Sequence, residues 1–573
     1  MNRQINPPVR TAIWLFAVAA FLFSTCAFAV DAIDHLNVQE PELPSYLPKD
    51  PGNNFRLPTV PPASAEVGPE AGGGKIFYVK HILFRGNTVI SSAELDKVSA
   101  SYVGRPVDES EIEALRQKLS RYYVDRGFTN SGALLPENAF DGETLTFQII
   151  EGRLGTLRLQ GLNGLNKAYL AGRLLKDKDE VLNVDILRER FQLLLDDPLF
   201  ERMNARLMPG VRLGEAILDI DVERALPYQF SVFANNYRPP SIGENAFGMS
   251  GWIRNLSGYG DVLDASLQNS IPERESPRYS LGWGIPLNAR GTQLALRVDR
   301  GRSSVIEEQV ASLDITSRLD TTDLVLKQTV IESLQHKLTL GIDRVWRTNR
   351  TTLLGEPFSF TPGEPDGTTK VNAWRLWQEY SYRTEKQVIA LRSIFTVAQN
   401  NLQTIPGLPS GEIPQPDSAY NLWLGQVHYA RQVLGKGTQF ILRGNIQHTS
   451  DNLLPLDRMS IGGNLTVRGY RENQILADNG SVFNLEFNFP IPLDHDKNLH
   501  LTVIPFYDWG HGRNVGMGPV TLSSMGLTTR ARWRKLNIDL TLAKRIVHPT
   551  ATDLPRGSLQ DQGIHWQVSY AFF

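Results

Sequence analysis

The segment Val482–Pro490 reads VFNLEFNFP. Its large apolar side chains fall on every second residue. Phe483, Leu485, Phe487 and Phe489 share one face, and Asn484, Glu486 and Asn488 share the other. A period of two is that of a strand, whose side chains alternate across the sheet. Two settings favour it: half of a soluble β-sandwich, or the wall of a barrel with lipid on one side and water on the other. The surrounding chain discriminates between them.

The pattern recurs. KLNIDLTLAK sets Leu536, Ile538, Leu540 and Leu542 in step. GIHWQVSYAFF does so with Ile564, Trp566, Val568, Tyr570 and Phe572, and Phe573 follows one step out. No segment from Leu226 onward reads as a helix of any length. About 16 strands are expected, beginning near Tyr228. Roughly 350 residues over that number leave about 22 per strand with its connection, a reasonable figure for an outer-membrane barrel. An even number places the preceding domains and the C-terminus on one side.

The opening of the chain points the same way. Arg3 and Arg10 precede the apolar run AIWLFAVAAFLF, and AFA (27–29) supplies small residues for cleavage. Residues 1–29 are read as a secretory signal peptide. The sole cysteine, Cys26, lies within it, so disulfides are not expected. No other stretch approaches the length of a helical span, so a membrane crossing requires a closed β-barrel. The bacterial outer membrane is the implied location. A net charge of −2 on 573 residues argues against nucleic acid as a partner.

Residues 30–74 are proline-rich and read as an arm or linker. Residues 75–152 and 153–225 read as two copies of one small α/β domain. Gly86 closing FYVKHILFRGN recurs as Gly161, and Val107-Asp108 recurs as Val184-Asp185, offsets of about 75 to 77 residues. Each copy is expected to run strand, helix, helix, strand, strand, with exposed strand edges. Asp108 and Glu111 form a capping-box pattern. Ile112, Leu115, Leu119 and Tyr122 are expected on the buried helical face, and Gly127 at the helix end. The fold class is therefore a transmembrane β-barrel of about 16 antiparallel strands (226–573) behind two α/β domains.

Catalytic signatures are missing from the sequence. There is no G-x-S-x-G, H-E-x-x-H or C-x-x-C. The ten histidines are scattered, and His428, His448 and His500 read as lumen or interface residues rather than metal ligands. No enzyme, metal site or cofactor is expected.

One segment stands apart from the strands. SIGGNLTVRGYREN (Ser460–Asn473) sits between strands 11 and 12 and combines Gly462, Gly463 and Gly469 with Arg468. Glycines let a loop fold tightly. In LHLTVIPFYDWGHG of strand 13, alternation sends Leu501, Val503, Tyr507 and Trp509 toward lipid. Phe506, Asp508 and Gly510 then face the lumen, as does Glu486 of strand 12. Spacing alone leaves Arg468 as a solvated loop residue or as the partner of a lumenal acid.

IGGNLTVRGY, NLEFNFP and FYDWG together resemble the two-partner secretion transporters, within the superfamily of POTRA-bearing outer-membrane barrels. The resemblance covers about Lys75 to Phe573. It implies that loop 451–480 reaches into the lumen. Arg468, within Val467-Arg468-Gly469-Tyr470, would pair there with Asp508, within Phe506-x-Asp508-x-Gly510, with Glu486 a further lumenal acid. It implies a porin-like pore that secretes a large β-helical exoprotein bearing an N-terminal secretion domain: an adhesin, haemolysin or growth inhibitor. Client folding outside would draw transport forward. Tyr570, Phe572 and Phe573 would form the C-terminal signal for the barrel assembly machinery, which inserts a monomer into a lipopolysaccharide-containing bilayer. The alternative within the superfamily is an assembly insertase. The segment Val30–Glu40 is short for the plug helix that many family members carry.

Overall fold

The computed structural model describes residues 43–47, 55–56, 75–175, 177, 179–271, 276–307, 310–403, 405, 415–435, 437–493, 498–548 and 557–572. The signal peptide, most of the arm, the plug-helix segment and Phe573 lie outside these residues. The chain divides into two compact units, residues 48–227 with 288–290, and residues 1–47, 228–287 and 291–573.

The first unit holds two modules. In the first, helices Ser92–Ser99 and Glu109–Val124 cover a sheet in which His81–Arg85 runs parallel to Thr144–Ile150. Asp108 and Glu111 close a reciprocal capping box at the second helix. Ile112, Leu115, Leu119 and Tyr123 are buried. The expected Tyr122 is half-buried against this core, and the fully buried tyrosine is its neighbour Tyr123. Eleven residues from Ile112 make just over three whole turns, whereas ten fall short of three. Gly127 then turns the chain with φ 86°.

The second module repeats the plan with helices Lys167–Leu174 and Val184–Leu195. Leu170, Leu187, Phe191, Met203, Leu218 and Ile220 form its core. Strand Glu215–Arg224 pairs parallel with Arg153–Gln160 and antiparallel with Phe200–Pro209. The outer edge of Phe200–Pro209 is not bare. Phe55 and Arg56 of the proline-rich arm pair with it in parallel, opposite Ala205 and Arg206. This differs from the exposed edge expected there.

The second unit is a closed antiparallel barrel of 16 wall strands, numbered here in chain order. A two-residue strand, Glu356–Pro357, pairs beside strand 7 without entering the ring, because strand 7 (His336–Leu353) bonds directly to strand 8 (Thr368–Arg383). Closure joins strand 1 (Tyr228–Asn235) to strand 16 (Ile564–Ala571) over only five residue pairs, Ser231↔Ala571 to Asn235↔Gln567. Alternation sorts the side chains. Leu485, Phe487, Leu540, Leu542, Tyr570 and Phe572 are exposed on the outer face. Asn484, Glu486, Asp508 and His565 are buried on the inner one. Near the end where the chain enters, Tyr429, Phe440 and Phe487 touch in series on the outer face, with ring centroids 6.3 and 5.2 Å apart. Such aromatic girdles mark a membrane interface.

Candidate functional site: the lumenal loop and its arginine latches

The loop from Thr449 to Asp478 joins strand 11 (Gln439–His448) to strand 12 (Asn479–Ile491) at the far end of the barrel. It folds inward as a hairpin, Met459–Ile461 paired with Ile475–Ala477. Gly462 and Gly463 turn its tip with φ 113° and 106°, a conformation that L side chains rarely adopt. The hairpin needs room against the wall, and glycines of the inner face provide it. A Cβ at Gly510 would lie 2.5 Å from Ile461 Cγ2 and 2.7 Å from Val467 Cγ2. One at Gly512 would lie 2.7 Å from the Ala477 Cβ. Met459, Ile461, Val467, Tyr470 and Ala477 of the loop therefore pack on Val482 and Leu522 of the wall.

This packing sets Arg468 in the wall. Arg468 is 5% exposed and Asp508, on strand 13 (Leu499–Arg513), is fully buried. Arg468 Nε donates to Asp508 Oδ2 at 2.7 Å, and Nη2 donates to Oδ1 at 2.7 Å. The Arg468 backbone N–H also reaches Oδ2 at 3.0 Å. The third nitrogen, Nη1, lies 2.8 Å from Glu486 Oε1. Glu486 binds Arg443 as well. Two guanidinium groups thus balance two carboxylates. Asn484 donates to Asp508 Oδ1 at 2.8 Å and to the carbonyl of Thr466. Phe506 lies under the guanidinium, 3.6 Å from ring centroid to Arg468 Cζ. A bidentate fork stacked on an aromatic face is what arginine can do and lysine cannot.

The next residues tie the loop elsewhere. Gly469 N–H donates to His565 Nε2 of strand 16 at 3.0 Å, so that nitrogen carries no proton in this arrangement. The Tyr470 hydroxyl is shared between the carbonyls of Ser523 (2.8 Å) and Val547 (2.5 Å). Arg471 forks onto Asp561 with two bonds of 2.8 Å, and its Nη1 lies 3.3 Å from Glu307. At the base of the loop, Asp457 takes Arg347 at 2.9 Å and the Tyr420 hydroxyl at 2.6 Å. Asp478 takes Arg458 at 2.9 Å. These further ties were not anticipated from the sequence. The inward parity of His565, between Ile564 and Trp566, was the one signal present.

Of the expected site residues, the structure brings together Val467, Arg468, Gly469, Tyr470, Glu486, Phe506, Asp508 and Gly510. Tyr570 and Phe572 stand apart, exposed on the outer face of strand 16. Phe572 N–H donates to the Phe230 carbonyl of strand 1 at 2.9 Å. Among the described residues there is no group of three or more metal-ligating side chains.

A family profile described as haemolysin secretion/activation protein ShlB/FhaC/HecB matches residues 214–529. A second, the ShlB-type POTRA domain, matches residues 77–152. The chain is 22% identical over 462 residues to the heme/hemopexin transporter protein HuxB of Haemophilus influenzae (strain 86-028NP), covering 75% of each. It is 22% identical over 492 residues to the outer membrane transporter CdiB of Dickeya dadantii (strain 3937), covering 83% of this chain and 84% of the relative. Among solved structures, CdiB from Escherichia coli has the same fold, with a TM-score of 0.68 at 18% identity over 100% of both chains. BamA from Haemophilus ducreyi lacking POTRA domains 1–3 is also similar, with a TM-score of 0.50 at 12% identity, covering 87% of this chain and 100% of that one. The chain belongs to the haemolysin secretion/activation protein family, the outer-membrane transporters of two-partner secretion, with its POTRA region in the periplasm.

Proposed function

We propose that this transporter recognises a large β-helical exoprotein in the periplasm and passes it, extended, through the barrel lumen. The client class is an adhesin, a haemolysin or a growth inhibitor. Residues 75–152 and 153–225 act as recognition modules. An unfolded client adds a strand to a module edge and gains main-chain hydrogen bonds without a fixed sequence. The pairing of Phe55–Arg56 with strand Phe200–Pro209 supports this, since that edge already accepts an added strand. Residues 226–573 form the conduit, and the latched loop is its working element. The observation that carries the reading is the Arg468–Asp508 fork, buried inside a closed barrel and bonded to the turn of a packed hairpin.

The same geometry favours transport over catalysis. Asp508 and Glu486 are both engaged by arginine, and neither is left to act as an acid or base. The barrel works as a monomer and takes no cofactor or nucleic acid. It is inserted by the barrel assembly machinery, with Tyr570, Phe572 and Phe573 as signal, into a bilayer containing lipopolysaccharide.

The test is a double-mutant cycle on secretion of the cognate exoprotein, with Arg468→Ala, Asp508→Ala and the pair. Arg468→Ala leaves Asp508 buried without its cation, a loss of ~3–5 kcal/mol, while Asp508→Ala leaves Arg468 with Glu486 and costs less. Secretion is expected to fall sharply in both while heat-modifiable barrel persists in the outer membrane. The pair is expected to lose little more than Arg468→Ala alone. Strictly additive losses would show that the two residues act separately. Arg468→Lys is expected to restore only part, because the fork is gone.

A further inference from the structure

The outer face of the barrel changes character along strands 5 to 8. In the band nearest the membrane middle it is apolar: Leu296, Leu324, Ile342 and Leu376 are exposed. Trp346 and Trp374 follow toward the extracellular end, also exposed, with Arg344 stacked against both at 5.4 and 4.9 Å. Tryptophan at this level marks the lipid–water interface. Beyond it, the same outward parity places Arg300 and Arg302 on strand 5 (Thr292–Ser304), Arg318 on strand 6 (Thr316–Glu332), Arg350 on strand 7 and Lys370 on strand 8.

These cations are in register. Arg302 lies opposite Arg318, and Arg318 lies opposite Arg350, three arginines side by side across three strands. One step toward the membrane, the neighbouring row runs Arg300, Asp320, Thr348, Lys370. Like charges directly opposite destabilise a sheet. Among the described residues of these two rows, Asp320 is the one acid. It lies 3.4, 3.5 and 3.1 Å from Arg300, Arg318 and Arg350. One carboxylate cannot neutralise five cations. The three arginines that share it keep side-chain exposures of 65%, 60% and 52%.

We propose that the row Arg302–Arg318–Arg350, with Arg300 and Lys370, is a binding site for the phosphate groups of an anionic glycolipid in the outer leaflet. The patch shares its face with the lipid-exposed band, so acyl chains meet Leu296, Leu324 and Trp374 while the headgroup meets the arginines. Guanidinium forks match phosphate oxygens in pairs. The lumen, where a protein client travels, is on the opposite face of the same strands. The site rests on the outer-membrane placement and is independent of which client is carried.

The test uses the purified full-length chain in vesicles of phosphatidylethanolamine, followed by lipid titration and by the temperature at which the folded barrel is lost. The additions compared are bisphosphorylated lipid A, the same lipid with its phosphates removed, and inorganic phosphate in the buffer. Only bisphosphorylated lipid A is expected to bind and protect. Each arginine lost should weaken binding by roughly fivefold, so Arg302→Ser with Arg318→Ser and Arg350→Ser should weaken it by about a hundredfold. Asp320→Asn, which removes the competing acid, should tighten it. Equal binding of the dephosphorylated lipid, protection by inorganic phosphate alone, or undiminished binding by the triple variant would each overturn the site. Should the triple variant fail to insert, Arg302→Ser alone and Asp320→Asn decide, and unchanged affinity in both would overturn it. Secretion measured beside these assays reports on the transport reading separately.

Discussion

Gln560 binds Asn236 across the closure of the barrel: its fully buried side-chain amide donates to the Asn236 carbonyl at 2.6 Å and to that of Arg238 at 2.8 Å. Asn236 extends the closure with its own side chain. Its Nδ2 donates to the Ile564 carbonyl at 2.9 Å, and its Oδ1 accepts the Trp566 N–H at 2.8 Å. The side-chain amide thus stands in for a peptide group beyond the five backbone pairs. Gln560 Oε1 also accepts the Glu472 N–H at 2.9 Å, so the same residue joins the closure to the lumenal loop.

Gln560→Ala removes both donors and the acceptor at once. Each buried group left unpaired costs ~1–3 kcal/mol. The variant barrel is expected to lose heat-modifiable mobility at a lower temperature than the native one. Gln560→Glu keeps the acceptor but turns an oxygen toward the two carbonyls, so it should not restore stability. An unchanged transition in Gln560→Ala would show that the backbone pairs alone hold the closure.

Arg471 clasps Asp561 and Glu307, and both acids lie in connections between wall strands. Arg471→Ala takes the fork from Asp561, which keeps Arg545 at 3.8 Å, and removes the contact with Glu307. The loss should be ~1–3 kcal/mol, below that of a fully buried pair, because Glu307 retains contact with solvent. Val467→Cys reports it, since Val467 is fully buried and Cys26 is the one native cysteine. Thiol labelling at that position is expected to speed up in Arg471→Ala by roughly tenfold for each 1.4 kcal/mol lost. Equal labelling rates would show that the loop is held without this clasp.

How much was legible follows the range of the interactions. The barrel could be read because alternation is local: VFNLEFNFP shows both faces within nine residues. Asp508 could be set on the inner face for the same reason. Its partner could not be derived, because Arg468 lies 40 residues away and only a folded loop brings it near. Arg471 and Asp561 are 90 residues apart, and the 324 separating Gln560 from Asn236 span the ring. Tyr122 lies at the edge of the apolar helical stripe and Tyr123 nearer its centre, a difference of one residue that a short helical pattern does not resolve. The pairing of Phe55–Arg56 had no signal at all, since a two-residue strand in a proline-rich arm shows no periodicity.

Gly510 tests whether the loop must lie flat on the wall. A methyl group there would overlap Ile461 and Val467, and overpacking of this kind costs ~1–3 kcal/mol. Gly510→Ala is expected to reduce secretion while the barrel still inserts, because the clash lifts the loop and leaves the strand ladder intact. Gly301→Ala is the control, since no atom lies within 4 Å of a Cβ built there. Comparable loss of secretion in both would trace the effect to the strands and not to the loop.

The short closure also separates the pore from an insertase. An insertase releases its client sideways, which requires strands 1 and 16 to part. A secretion pore passes its client along the axis and needs no such parting. Ala234 and Val568 are register partners across the closure. Directly opposed residues have Cα atoms about 4.5–5.5 Å apart, within the span of a disulfide. Ala234→Cys with Val568→Cys should therefore crosslink under oxidation. Secretion of the exoprotein is expected to continue at the reduced-state rate once the bond forms. Formation of the bond is checked by the loss of free thiol in the same sample. Secretion that stops on oxidation and resumes with reductant would show that the closure must open, and transport confined to the lumen would then be the wrong reading.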